Sequence, residues 1–303
     1  MTPSLVIIGN LLVDDLVWDD GTTRMAQAGG AVLYASLGAR LWNHRVGCVS
    51  VAGSDYPAEM LGRMRERGID LDGVRLLDRP GVRAWLLYEG HRRHLVHRLG
   101  CPSHAAVSPS VEDLPAGWKG ARAFHLSPMP FDVQRTLVRL LPTDGGAFLA
   151  VDPHERVAED TLADWRQVLS HVDAVFVSDD ELLISGAQEN PEAVLPQLVC
   201  GRLRFVVFKR GARGGVLYDA HERRFHHWPA RPSRVVDQTG AGDAFAAAFV
   251  AAHIDGLPVK AALERAIVSA SVAIEAWGPE LLLSTSCEDA LARAEQWFGA
   301  EAS

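Results

Sequence analysis

The chain is poor in cysteine: four among 303 residues, at Cys48, Cys101, Cys200 and Cys287, with no C-x-x-C pair. That spacing argues against a disulfide framework and against a structural zinc site, and it suits a reducing cytoplasm. Long apolar runs are also missing. None approaches the roughly 20 residues needed to span a bilayer, so no membrane partner is expected. Met1-Thr2-Pro3-Ser4 has no basic region, and Leu5–Ile8 is too short for a signal-peptide core, so no export is expected. Positive charge is in deficit, with 30 Lys and Arg against 38 Asp and Glu and a net charge of −8. A general nucleic-acid surface is therefore not expected. A helix N-terminus and a few amides can still hold a phosphate locally. There is no internal repeat, low-complexity segment or Pro/Ser-rich linker, and residues 1–303 read as one domain.

What the chain does contain is an alternation of short apolar runs with longer segments of helical period. Leu5–Ile8, Gly47–Val51, Ala123–Leu126, Ala147–Val151, Ala174–Val177 and Phe205–Phe208 are the expected buried strands. Helices are expected over Ala31–Leu41, Ala58–Arg67, Val133–Leu141, Leu162–His171 and Pro191–Val199. Such alternation implies right-handed βαβ units, hence a mainly parallel sheet with helices on both faces. Ligands of such sheets bind at the carboxyl ends of the strands. Two segments break the pattern, near 12–28 and 82–98. Both look extended and partly polar, and Glu89-Gly90 reads as a hairpin turn. Together they are read as a small β lid, with ordinary edge strands as the alternative. His91, Arg92, Arg93, His94, His97 and Arg98 form a basic cluster there. Strand alternation separates His94 from His91 and His97, which argues against a metal site and for a solvated face.

The sharpest feature is Asp237-Gln238-Thr239-Gly240-Ala241-Gly242-Asp243, followed by an alanine-rich helix former. The glycines let successive amides converge at the helix start, and the helix dipole reinforces the resulting anion hole. Asp243 falls in the first turn, beside any anion held there. Phosphoryl transfer passes through a loose transition state, so even a weak base can take the hydroxyl proton late. A capped helix after a glycine turn is the plainer alternative.

This motif resembles the C-terminal signature of the PfkB-type carbohydrate kinases, the ribokinase-like family. The likeness runs along nearly the whole chain. Gly9-Asn10-Leu11-Leu12-Val13-Asp14 looks like the family's first strand and substrate aspartate, and Gly29-Gly30 like its substrate loop. Lys209-Arg210-Gly211-Ala212-Arg213-Gly214-Gly215 looks like its nucleotide loop. The resemblance implies a three-layer αβα fold with a β lid and an ATP-dependent transfer to a sugar or sugar-like hydroxyl. It makes Asp243 the base and Gly240, Ala241 and Gly242 the amide donors. Asp14, Gly29, Gly30 and Tyr34 fall at the acceptor, and Lys209, Gly211 and Gly214 at the nucleotide. Glu181 is implied to hold magnesium through water, and Asp237 and Thr239 resemble a monovalent-cation loop suited to potassium. Homodimerisation through the lid is a further expectation.

Four departures from the family pattern limit the transfer. Tyr34 stands where asparagine is common, so the acceptor is expected to be bulkier, more apolar or differently placed than ribose, unless Tyr34 merely packs. The metal-associated Asn-x-x-Glu is Ser178-Asp179-Asp180-Glu181 here, and Asp152-Pro153-His154-Glu155-Arg156 has histidine in place of asparagine. Lys209 replaces a threonine, and either neutralises phosphate or is exposed. A nucleoside or cyclitol kinase, or a sensor that has lost catalysis, therefore remains an alternative.

Overall fold

The computed structural model describes residues 2–89, 92–231 and 233–299. In chain order the first strands are β1 (Leu5–Ile8), β2 (Leu12–Trp18) and β3 (Thr23–Gly29), followed by α1 (Ala31–Arg40), β4 (Val46–Ala52) and α2 (Ala58–Glu66). Next come β5 (Ile69–Leu76), β6 (Arg83–Glu89), β7 (Arg92–His97), β8 (Ala123–Leu126), α3 (Phe131–Leu140) and β9 (Phe148–Val151). The short β10 (Val157–Ala158) precedes α4 (Leu162–Leu169), β11 (Ala174–Ser178), the short β12 (Leu182–Leu183) and α5 (Pro191–Val194). The chain continues through β13 (Phe205–Lys209), β14 (Gly215–Asp219) and β15 (Arg224–Trp228). It ends in α6 (Ala241–Ile254), α7 (Val259–Ile274), α8 (Glu280–Ser284) and α9 (Cys287–Phe298).

Nine strands make the central sheet, in the order β15-β14-β13-β11-β9-β8-β1-β4-β5. Only β14 runs against the others. Period-2 alternation sorts the side chains into two cores. Leu5, Ile7, Phe205 and Val207 join the core built on α1, α2, α6, α7 and α9. Val6, Ile8, Val206 and Phe208 join the core built on α3, α4 and α5. The fold is therefore the expected three-layer αβα arrangement. Helix α6 lies deepest: Ala244 to Ala252 are all buried, which is how a helix apolar on every side must sit. Its Phe249 packs edge-on against Phe176 and Phe205, and burial of each such ring contributes roughly 1.5–3 kcal/mol.

The expected strands and helices are present, with ends shifted by a residue or two in most cases. Three strands of the central sheet escaped the pattern reading, β5, β14 and β15, as did the two short strands β10 and β12. Each of the three carries exposed or half-exposed residues, so none reads as an apolar run, and β5 and β15 are the sheet's edges. The helix expected over 191–199 is only one α turn followed by a 3-10 turn over Leu195–Leu198. Pro196 has no N–H for the α ladder, and its ring disfavours the helical geometry before it.

The segments near 12–28 and 82–98 form a separate four-stranded sheet, β3-β2-β6-β7, with β2 and β6 parallel. Its centre is an ion pair. Arg83 donates two hydrogen bonds to the buried Asp15 at 2.7 Å each, Arg98 adds a third at 3.4 Å, and the Ala26 amide a fourth at 2.8 Å. Strands β6 and β7 pair antiparallel, and the turn expected at Glu89-Gly90 falls partly outside the described residues, which omit Gly90 and His91. Among the described residues all four cysteines are free, and no helix is long and apolar enough to cross a membrane.

Candidate active site

The glycine loop is held by its neighbours before any ligand arrives. The amides of Val236 and Asp237 donate to the Ile274 carbonyl at 2.7 and 3.2 Å. The Asp237 carboxylate accepts from the Thr239 amide (2.9 Å) and from the Gly278 amide (3.2 Å), tying the loop to the chain beyond α7. Thr239 Oγ1 shares a hydrogen bond of 3.1 Å with Tyr88 of the second sheet. Gly240 then takes the left-handed conformation, with φ of 77°, and α6 begins. No other residue fits there, because a side chain on Gly240 would fall on the ring of Tyr34. Tyr34 is thus packed beneath the loop while its edge lines the cleft. The amides of Ala241 and Gly242 open the first turn of the helix, and that of Ala241 reaches the Gln238 carbonyl at 3.5 Å. Asp243 stands in that first turn.

A buried ion pair lies beside these amides. Lys209, at the end of β13, donates to both oxygens of Asp152, at the end of β9, at 2.8 and 3.0 Å. A side chain on Gly242 would come within 3.2 Å of its ammonium. Burial works against the lysine charge, but Asp152, Glu181 and Asp243 outweigh it and raise the Lys209 pKa. Of the two expectations for Lys209, exposure is the one the structure overturns, because the strand end carries its stem under the loop. Gln134 fixes the other partner: its amide donates to the carbonyls of Ser127 (3.0 Å) and Asp152 (2.8 Å) at two adjacent strand ends.

Two cavities meet at Lys209, Gly211, Gln238 and Gly242. One, about 710 Å³, is floored by Trp228, Phe245, Ile267, Ala270 and Ile274 and includes Gly214 and Ala241. Its walls are apolar, and Trp228 and Phe245 stack at 5.4 Å. The other, about 560 Å³, holds Asp14, Gly30, Tyr34, Asp152, Ser178, Asp179, Asp180, Glu181, Thr239, Gly240 and Asp243. Asp14 is reached from within β2 of the second sheet, and its carboxylate fills the space that a Gly29 side chain would need. Gly30 is the N-cap of α1. Glu181 follows β11 and accepts from the Ser178 amide at 2.7 Å.

The residues fit a nucleotide and its magnesium. The apolar cavity suits a planar base, and the amides with Lys209 suit phosphate at the junction. Among the described residues no three His, Cys, Asp or Glu side chains converge to hold a metal by protein ligands alone. Glu181, Asp179 and Asp180 are the carboxylates beside Ser178 that could hold such an ion directly or through water. The site residues expected from sequence line these two cavities or, for Gly29 and Asp237, brace them. Pattern reading missed the partnership of Asp152 with Lys209, the support from Gln134, and Asn10, His97 and His104 along the acceptor wall. Gln134 and His104 lie in no recognisable motif, and nothing in the segments that hold Asn10, His97, Asp152 and Lys209 singles out these partnerships. His94 and His97 are both exposed, as expected of a solvated face, and His97 also lines the rim of the cleft.

Residues 132–285 match the model of the pfkB family carbohydrate kinases. The cytidine kinase of Thermococcus kodakarensis is 30% identical over 281 residues, covering 90% of this chain and 97% of that relative. The ATP-dependent ribose-1-phosphate kinase of Halopiger xanaduensis is 28% identical over 265 residues, 84% of each chain. Among solved structures, Arabidopsis thaliana ribokinase complexed with ribose and ATP superposes with a TM-score of 0.75 at 20% identity, over 97% of this chain and 99% of that one. The chain belongs to the pfkB family. It is a phosphotransferase with an alcohol group as acceptor.

Proposed function

We propose that the protein transfers the γ-phosphoryl group of ATP to a hydroxyl of a sugar or sugar-like molecule bound between the central sheet and the second sheet, which serves as its lid. The observation that carries this reading is Asp243, in the first turn of α6, on the wall of the acceptor cavity and next to Gly242, where that cavity meets the apolar one. In this scheme ATP lies in the apolar cavity with its γ-phosphate at the amides of Gly240, Ala241 and Gly242. Asp243 takes the acceptor proton as the new O–P bond forms and the bond to the ADP oxygen breaks. Asp14 accepts hydrogen bonds from acceptor hydroxyls, and Tyr34 closes the floor of the site. Lys209 meets charge at the junction of the cavities, where its pairing with Asp152 fixes its position.

Glu181 would hold a magnesium ion through water, and that ion would supply charge balance on the phosphates. A potassium ion beside Asp237 and Thr239 would steady the anion hole; exchanging potassium for choline in the assay tests that role. Four free thiols fit a cytoplasmic setting. The cytidine kinase relative also supports a nucleoside acceptor.

The base assignment is tested with Asp243→Asn. The variant should keep its fold and ATP affinity yet lose roughly 10²–10⁴-fold in turnover. Turnover near that of the parent would overturn the mechanism.

A further inference from the structure

The acceptor wall carries a cluster that phosphoryl transfer does not use. His97 ends β7, His104 precedes the 3-10 turn Ala105–Val107, and His154 lies two residues past Asp152. Their rings meet across the cavity. Those of His97 and His104 are 6.2 Å apart, and those of His104 and His154 are 5.2 Å apart and edge-on, at 88°. Both ring nitrogens of His104 are shielded from solvent and have no hydrogen-bond partner among the described residues. Such a group gains from a ligand that bonds it.

The turn that carries His104 is firmly built. Asn10 Nδ2 donates to the Val107 carbonyl at 2.9 Å, and Ser108 Oγ donates to Asn10 Oδ1 at 3.2 Å and to the His104 carbonyl at 2.9 Å. Val107 is buried with Val51 and Val82.

The charges around the cluster select its ligand. Asp14, Asp152, Asp179, Asp180, Glu181 and Asp243 line the same cavity. Among the described residues Lys209 is its only lysine or arginine, and Asp152 holds it. An anionic acceptor would meet net negative charge there. Burial, with His154 and His97 adding to it, pushes His104 down to about 4 and keeps the imidazole neutral, with one donor and one acceptor. Leu12, Ala84, Leu86 and Pro128 supply apolar wall nearby.

We propose that His97, His104 and His154 form a base subsite that binds the uncharged heteroaromatic ring of a nucleoside acceptor. A nucleobase offers a flat face to the imidazole rings and, on its edge, a donor or an acceptor for one of the His104 nitrogens. The assignment rests on the kinase reading above and names its acceptor class.

The test compares cytidine, inosine, ribose and ribose 1-phosphate as acceptors in an ADP-release assay, with cytidine and inosine binding measured separately by calorimetry. Variants are His104→Phe, which keeps a ring and loses both nitrogens, His104→Gln, which keeps a donor and an acceptor, and His154→Phe. Thermal unfolding establishes which of them are folded. The parent should prefer at least one nucleoside over ribose by about 10-fold or more in kcat/KM. His104→Phe should lower that ratio about 10-fold and weaken nucleoside binding by a similar factor, while His104→Gln should retain most of both. His154→Phe reads the same ratio from a different segment of the chain. Preference for ribose or ribose 1-phosphate over both nucleosides overturns the subsite and leaves the kinase reading standing. So does an unchanged ratio in the folded phenylalanine variants. No ADP release with any acceptor overturns the kinase reading itself.

Discussion

Gly240→Ala probes the point on which the whole site turns. Two costs follow from the structure. A side chain at φ of 77° enters the left-handed region, at roughly 1–2 kcal/mol. The new methyl group also falls on the Tyr34 ring, and overpacking of this kind typically costs about 1–3 kcal/mol. Together they come to about 2–5 kcal/mol, a large share of the roughly 5–15 kcal/mol that holds a domain folded. The melting temperature should fall by on the order of 10 °C. The two terms separate in a double-mutant cycle with Tyr34→Ala. Without the ring only the backbone term remains, so Gly240→Ala should cost less in that background by about 1–3 kcal/mol. Turnover should drop further than stability alone explains. Moving the loop displaces Gly242 and Asp243, and a shift of about 1 Å at a reacting centre can cost on the order of 10²-fold. Urea unfolding and ADP release read the two effects. Equal costs in both Tyr34 backgrounds, or a variant within ~0.5 kcal/mol of the parent, would refute the packing argument.

Glu181→Gln keeps size and loses charge, so it should raise the magnesium concentration needed for half-maximal activity, and added magnesium should restore part of the rate. Overlaid titrations of variant and parent would remove Glu181 from the metal's shell. In the second sheet, burial pushes the Asp15 carboxyl up, but Arg83 and the Ala26 amide outweigh it and hold its pKa below the ordinary 3.8. A depressed carboxyl contributes stability that is fully present above that value and lost as pH falls through the lower, folded-state value. Acid unfolding should therefore show this loss in the parent. Asp15→Asn should already be weaker at pH 7, by on the order of 3 kcal/mol, and should show a flatter acid limb. Identical acid limbs would disprove the linkage.

Local pattern carried much of this structure. Strands such as Leu5–Ile8 and Phe205–Lys209 are legible because both faces of the sheet are buried, which leaves an unbroken apolar run. Strand β15 was not legible, because an edge strand with exposed residues looks like a loop. The glycine turn and Asp243 in the first helical turn were legible because a helix start is built from consecutive residues, so it is written in one short segment.

The rest of the site joins residues that are remote along the chain. Lys209 meets Asp152 across 57 positions, and Tyr88 meets Thr239 across 151. His97, His104 and His154 come from a lid strand, a turn and a strand end, and no spacing rule links them. By itself the sequence determined the alternation of strands and helices, the two-faced sheet and a helix that starts directly on a glycine turn, because those features follow from periods of 2 and 3.6 and from consecutive residues. Which carboxylate would hold Lys209, and which imidazoles would face the acceptor, was decided only by the tertiary structure. Strand order and the closing of the second sheet over the first set those distances, and the geometry of crossovers is not encoded in any local run of residues.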